Sequence, residues 1–258
     1  MRSEADRSWV PPVVDTERPN VARMYDYYLG GKDHFAVDRE LAERTLAVIP
    51  ELRDVALANR LFLQDAVRRL SRGGIDQFVD LGTGIPTSPS VHEVARHVNA
   101  DASVVYVDHD PVVVAHNRAL LQEDARIVTL GHDLADPTSV LDDPRLHDVI
   151  DLRRPVGLLL IAVLHFVDLA LAPRIVARYA RDLAPGSRVV ITLASNDGID
   201  PSVQQRVETL YSRASTFVYR TRAQFEELFG DLDIEPPGVV DLLRTPSLCG
   251  LAGVAVKR

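Results

Sequence analysis

Cysteine is nearly missing from this sequence: Cys249 stands alone among 258 residues. An intrachain disulfide is excluded, and so is a zinc site built from several cysteines. A single cysteine suits a reducing compartment. Long apolar runs are missing too. The longest candidate, Val156–Val167, contains His165 and falls short of the ~20 residues that span a bilayer. The opening Met1-Arg-Ser-Glu-Ala-Asp-Arg7 has no signal-peptide core. A cytoplasmic protein without a membrane partner is therefore the expectation. Positive charge is in deficit, with 29 Lys and Arg against 37 Asp and Glu and a net charge of −8. A general phosphate-backbone binder needs a basic field, so nucleic acid is not an expected partner. What remains is ordinary: 46% hydrophobic and 26% charged residues, enough for a substantial core. The length fits one large α/β domain.

Residues 1 to about 19 read as a poorly ordered lead-in, with Pro11-Pro12 and no apolar period. Residues 20–258 read as a single domain, of which 20–72 form a helical N-terminal cap. In that cap Tyr25, Tyr27 and Tyr28 crowd against Gly30-Gly31, followed by Lys32-Asp33-His34-Phe35. Two readings fit: a helix that docks its aromatic face and stops at Gly30, or a lid over a ligand. Composition favours the first. Leu52, Val55, Ala56, Asn59, Leu63, Ala66, Val67 and Leu70 follow a helical period that Gly73-Gly74 stops.

The pattern then becomes β-α alternation. Strands are expected at 77–81, 103–107, 126–130, 156–163 and 188–193, with helices at 90–98, from 111, from 137, at 173–183 and at 201–211. Thr221-Arg-Ala-Gln224 is a capping box opening a further helix to Phe229. Residues 239–243 and 251–256 are expected to close the sheet as an antiparallel pair. Such repeated units imply a doubly wound, mostly parallel sheet, whose ligands bind at the carboxyl ends of the central strands.

The chemistry sits at those strand exits. The first reads Asp80-Leu-Gly-Thr-Gly84, where Gly82 and Gly84 let a ligand approach the backbone closely. A dinucleotide fingerprint wants a third glycine where Thr87 stands, and Pro86 stiffens the loop. An acidic-x-Gly-x-Gly turn suits a ligand with a cationic amino group and no pyrophosphate: the glycine backbone takes an amino-acid carboxylate and Asp80 supplies the charge. That separates S-adenosylmethionine from NAD. The second exit reads Val107-Asp108-His109-Asp110. Asp108 can accept both ribose hydroxyls, while Asp110 caps the next helix. At the third exit, Asp133 can accept from an adenine amine while Leu134 packs on the ring. The fourth carries His165, either a base facing the reacting methyl or, as is commoner for a lone histidine beside an apolar strand, a satisfied structural residue.

Together these residues resemble the class I methyltransferase pattern. A closer match comes from Arg23-Met-Tyr-Asp-Tyr-Tyr-Leu-Gly-Gly-Lys-Asp-His-Phe35 through Asp38-Arg39, joined by Asp80–Thr87, Val91-His-Glu93, Val104–Pro111 and Val163-Leu-His-Phe166. This set resembles the actinomycete family of S-adenosyl methyltransferases once labelled a domain of unknown function, from about residue 18 to the C-terminus. The resemblance implies a seven-stranded Rossmann-like sheet with an antiparallel last strand and an N-terminal helical lid, and S-adenosyl-L-methionine as cofactor. Carried over by position, Asp80, Gly82, Thr83 and Gly84 meet its amino-acid end, Asp108 and His109 the ribose, and Asp133 and Leu134 the adenine. Residues 24–35, with Tyr28 and Gly30, cover it. His165, Lys32 and His34 are the substrate-facing candidates; no metal and no catalytic residue is singled out. The family pattern has Asn where His109 stands, Arg where Ala135 stands, and Ser-His where Thr192-Leu193 stands. The expected function is methyl transfer to a small molecule, with a homodimer left open. A non-catalytic sensor of S-adenosylmethionine or S-adenosylhomocysteine is the alternative, motivated by Thr192-Leu193 and by the absence of a clear base. A nicotinamide-binding oxidoreductase ranks third.

Overall fold

The structure is a computed structural model that describes residues 15–121 and 124–258. Most of the expected lead-in, residues 1–14, lies outside them. The chain begins with three helices: α1 (Val21–Tyr28), α2 (Ala36–Leu46) and α3 (Leu52–Arg72). The alternating part follows as β1 (Gln77–Leu81), α4 (Val91–Arg96), β2 (Ser103–Val107), α5 (Pro111–Leu121) and β3 (Ile127–Leu130). Next come α6 (Pro137–Leu141), α7 (Pro144–His147), β4 (Gly157–Ile161), a 3-10 turn at Leu164–Phe166, α8 (Leu171–Asp182) and β5 (Arg188–Ser195). The chain closes with α9 (Pro201–Tyr211), α10 (Arg222–Glu227), β6 (Asp233–Ile234), β7 (Val240–Arg244) and β8 (Cys249–Val256).

The strands form one sheet in the order β3-β2-β1-β4-β5-β8-β6, with β7 also paired to β8. The pairs among β1 to β5 are parallel, and every pair made by β8 is antiparallel. The sheet has eight strands rather than the expected seven because two short strands, β6 and β7, share the outer edge of β8.

Alternation along the strands sorts side chains to two faces. Phe78, Val104 and Tyr106 pack with Leu63, Val67 and Leu70 of α3 and Val94 of α4. Val79, Leu81, Val105 and Val107 pack on the opposite side with Ile175, Val176 and Tyr179 of α8 and Phe225 of α10. Central β4 is apolar throughout, as a strand covered on both faces must be. Its first residue has to be glycine. A Cβ on Gly157 would stand 2.5 Å from the ring of Phe78, its partner in the neighbouring strand.

The N-terminal cap has its own apolar cluster, in which Met24, Tyr28, Leu41 and Ile49 pack with Val207 and Tyr211 of α9. A buried carboxylate fastens it. Asp38 accepts Asn20 N–H (2.8 Å) and Phe35 N–H (2.8 Å) and pairs with Arg23 Nε at 2.7 Å. Both members of that ion pair are almost fully buried. Asn20 caps α1 by accepting from Ala22 N and Arg23 N, and its side-chain amide donates to Asp110. Much of the Arg23-to-Asp38 motif therefore serves to hold α1 in place. Among the described residues, no helix is long and apolar enough to cross a membrane.

Candidate active site

A cavity of about 440 Å³ opens at the carboxyl ends of β1, β2, β3, β4 and β5. Its floor is the turn after β1. Gly82 and Gly84 adopt φ values of +70° and +66°, which non-glycine residues avoid. Gly82 also allows a close approach: a Cβ there would sit 2.4 Å from Cγ2 of Val163, beyond the end of β4. The turn is held from β2. Gly82 N–H and Thr83 N–H donate to Val107 O at 2.8 and 3.1 Å, and Gly84 N–H donates to Asp108 Oδ2 at 2.9 Å. All three N–H groups thus already have partners within the chain.

Arg60 of α3 is the cation in that part of the wall, and sequence reasoning missed it. One of its terminal nitrogens donates to Thr87 O and Pro89 O, while its Nε is buried without a partner. Asp80 lines the same end, with Thr83 Oγ1 donating to its Oδ2 at 3.0 Å. Burial pushes the Asp80 carboxyl up to about 6, with Asp108 adding repulsion and Thr83 and Arg60 opposing the rise. A buried guanidinium edge beside a buried carboxylate is the donor set for a zwitterionic amino-acid group.

Asp108 is buried as well, and burial raises its pKa. Each of its oxygens already accepts one backbone N–H, from Asp110 and from Gly84, leaving second lone pairs for further donors. Asp110 caps α5 by accepting from Val112 N at 2.7 Å, as its sequence position implies. His109 and Asp133 line the cavity and are exposed, and Leu134 is buried against it. Asp133 Oδ1 accepts Ala135 N–H at 2.8 Å. The fifteen-residue match to the N-terminal motif divides in two. Tyr28, with Asn20, Val21, Ala22 and Tyr25, lines the cavity.

Gly30, Lys32 and His34 do not line it, and the readings that put them over the cofactor or facing substrate are corrected. The carboxylate of Asp26 takes Asp33 N–H at 2.9 Å and folds the loop away. Lys32 is left exposed, and His34 Nε2 sits 3.1 Å from Gly31 O.

The opposite end of the cavity is apolar and aromatic, with Phe166, Tyr211 and Phe217 joining Tyr25 and Tyr28. Between the ends runs a polar relay. Ala162 N–H donates to Thr192 Oγ1 (2.9 Å), which donates to Asn59 Oδ1 (2.6 Å), and Asn59 Nδ2 donates to Tyr25 OH (2.8 Å). Ala162 holds φ +53°, a strained value for alanine, where β4 meets the cavity. His165 lines the cavity and is buried. Ala194 N–H approaches its Nδ1 at 3.4 Å, and Nε2 has no partner among the described residues. Burial, with the charge of Arg220 behind it, pushes His165 down to about 3. It is neutral at physiological pH, and with Nδ1 accepting from Ala194 N–H its ring proton lies on Nε2; of the two readings left open for it, that of base is not supported.

Residues 7–245 match the S-adenosyl methyltransferase family. The chain belongs to this family. Among solved structures, a candidate methyltransferase from Thermobifida fusca is 38% identical with a TM-score of 0.89, covering 97% of this chain and 99% of its own. A DUF574 family protein from Streptomyces avermitilis is 37% identical with a TM-score of 0.89, covering 95% and 99%. Human N-acetylserotonin methyltransferase in complex with SAM shares the fold alone, at 17% identity and a TM-score of 0.50 over 93% of this chain and 63% of its own. No curated protein matches. This S-adenosyl methyltransferase takes S-adenosylmethionine as methyl donor, and a buried, unpartnered Arg60 Nε beside Asp80 fits its amino-acid end.

Proposed function

We propose that this methyltransferase transfers a methyl group to a small molecule seated in the aromatic end of the cavity. The observation that carries the reading is one continuous cavity with a carboxylate-rich end and an aromatic end. Arg60 and Asp80 would hold the amino-acid group of the cofactor, Asp108 and His109 the ribose hydroxyls, and Asp133 and Leu134 the adenine. When bound, S-adenosylmethionine supplies a methyl group already activated on a sulfonium. The chain's own residues then align the acceptor and keep water out. Val163, held against the glycine turn, closes the floor, and Tyr28, Phe166 and Tyr211 wall the apolar side.

The reading as a pure sensor rests on Thr192-Leu193 at the end of β5 and on the absence of a clear base; Thr192 does place a hydroxyl in the cavity wall, engaged with Ala162 N–H and Asn59. Transfer of label separates the two readings. The protein would be incubated with S-adenosylmethionine carrying a labelled methyl group and with a cell extract. Label is expected in the small-molecule fraction. Label confined to protein or nucleic acid would overturn the reading, as would calorimetry showing no binding of S-adenosylhomocysteine.

A further inference from the structure

The aromatic end is assembled from three distant stretches of chain. Tyr28 comes from α1, Phe166 from the turn after β4, and Tyr211 and Phe217 from α9 and the segment after it. Phe217 is the hub. Its ring centroid lies 4.9 Å from that of His165, 4.7 Å from Tyr211, 5.9 Å from Phe166 and 5.0 Å from Tyr219. It is only half-buried and lines the cavity. Flat ring surface is what this end presents.

No buried charge lines it directly. Of the cavity-lining carboxylates, Asp80, Asp108, Asp110 and Asp133 belong to the exits of β1, β2 and β3, and Asp168 follows the turn after β4. Arg220, behind His165, does not line the cavity and gives its terminal nitrogens to the carbonyls of Leu164, Val167 and Asp168. Asp168 is exposed, and its Oδ1 accepts Ala170 N–H at 2.8 Å. Arg60 faces the carbonyls of Thr87 and Pro89. An ionised acceptor entering the aromatic end would lose hydration without an opposite charge in direct contact, since the guanidinium of Arg220 is turned to backbone carbonyls.

Strong proton acceptors are missing there as well, among the described residues. The Nδ1 of His165 faces Ala194 N–H, so Nε2 carries the ring proton and donates. The hydroxyls of Tyr28 and Tyr211 lie 3.5 Å apart, and burial holds both in the protonated form. An acceptor hydroxyl would need a base to take its proton during transfer, whereas an uncharged nitrogen brings its own lone pair.

We propose that the methyl acceptor is a flat, uncharged nitrogen aromatic, an aromatic amine or N-heterocycle, packed against Phe217, with Nε2–H of His165 left to donate to an acceptor atom other than the reacting nitrogen. This rests on the cavity being the site of methyl transfer. The nitrogen lone pair forms the new N–C bond while the C–S bond of the sulfonium breaks toward sulfur. An aromatic amine then gives its N–H proton to water, and a heterocycle without N–H leaves as the N-methyl cation. The surrounding rings stabilise that cation through their π faces.

The test begins with calorimetry on protein saturated with S-adenosylhomocysteine. Quinoline, uncharged at neutral pH, is expected to bind at least about tenfold tighter than naphthoate, an anion on a similar two-ring frame. Phe217→Leu keeps apolar bulk and removes the ring. It is expected to lose quinoline affinity about tenfold more than it loses S-adenosylhomocysteine affinity, with its unfolding midpoint checking that the fold persists. With labelled cofactor, aminoquinoline should be methylated in preference to naphthol. Naphthoate binding as tightly as quinoline, or naphthol methylated in preference, would overturn the proposal. Tight S-adenosylhomocysteine with no aromatic binding would overturn it and leave the cofactor site standing. Failure to bind S-adenosylhomocysteine itself would remove both.

Discussion

Asp80, proposed above to hold the ammonium of the cofactor, would couple cofactor binding to pH, and the coupling can be worked from its surroundings. Burial raises its carboxyl from the ordinary 3.8 to about 6 in the ligand-free protein. The ammonium of the bound cofactor favours the ionised form, so the pKa falls on binding and a proton is released. Near pH 7 about nine-tenths of the Asp80 population is ionised, and near pH 5 about one-tenth. Cofactor affinity is therefore expected to fall about tenfold between those values, or about 1.4 kcal/mol. The sign for stability runs the other way. In the ligand-free protein the native state binds more protons than the unfolded chain between 3.8 and about 6, so stability drops as pH rises through that window. The full cost at neutral pH is of order 3 kcal/mol. Asp80→Asn removes both effects and still accepts from Thr83. It should bind S-adenosylmethionine weakly with a flattened pH profile, yet unfold at a higher temperature than the wild type when ligand-free at neutral pH. Calorimetry in buffers of different ionisation enthalpy counts the released proton, and thermal melts measure the stability. An unaltered pH profile in Asp80→Asn, or a lower melting point, would refute the reasoning.

Three other perturbations test separate parts of the site. Asp108→Ala removes the proposed acceptor for ribose and the partner of Gly84 N–H. Calorimetry should show about 1.5–3 kcal/mol less cofactor affinity, with a lower unfolding midpoint. Gly82→Ala forces alanine to φ +70° and sets its Cβ against Val163. The backbone part costs about 1–2 kcal/mol, and adding Val163→Ala should recover only the clash, read from urea midpoints. Arg220→Met leaves the carbonyls of Leu164, Val167 and Asp168 without the buried guanidinium that holds them. A loss of about 3 kcal/mol is expected in denaturant titrations. Removing that charge should also raise the His165 pKa in NMR titrations.

What the sequence revealed was what is decided locally. The strand exits could be read because glycine turns and Asp caps depend on neighbours a few residues away. Asp110 caps α5, and Thr221 opens α10 with Gln224, as their spacing implies. Helix α2 falls within the helical cap expected over 20–72, but its start could not be read, since Phe35 has no capping oxygen and the stabilising acceptor is Asp38, inside the helix. Strand β6 is two residues long, too short to show alternation. The loop at Lys32 and His34 was misplaced because its direction depends on the carboxylate of Asp26. Arg60 carried no signal of its own on a helix with several other arginines. Asn59 did: a polar residue within an apolar stripe, it joins Tyr25 to Thr192. Tyr28 could be read as covering the ligand, but its partners could not, because Tyr28 meets Tyr211, and Tyr211 meets Phe217, only through tertiary packing.

The clasp at Asp38 gives the cap an all-or-none character in time. The carboxylate binds the start of α1, its Arg23 and the residue before α2, and it is wholly out of solvent. Helix α1 forms one wall of the cavity near the glycine turn. A motion that widens the cavity there either carries α2 along or leaves a buried charge without its partner, a state too costly to populate. Exchange of spent cofactor for fresh along this wall would then proceed by rare, concerted excursions of a helix pair, steeply dependent on temperature, rather than by the gradual fraying of a single segment.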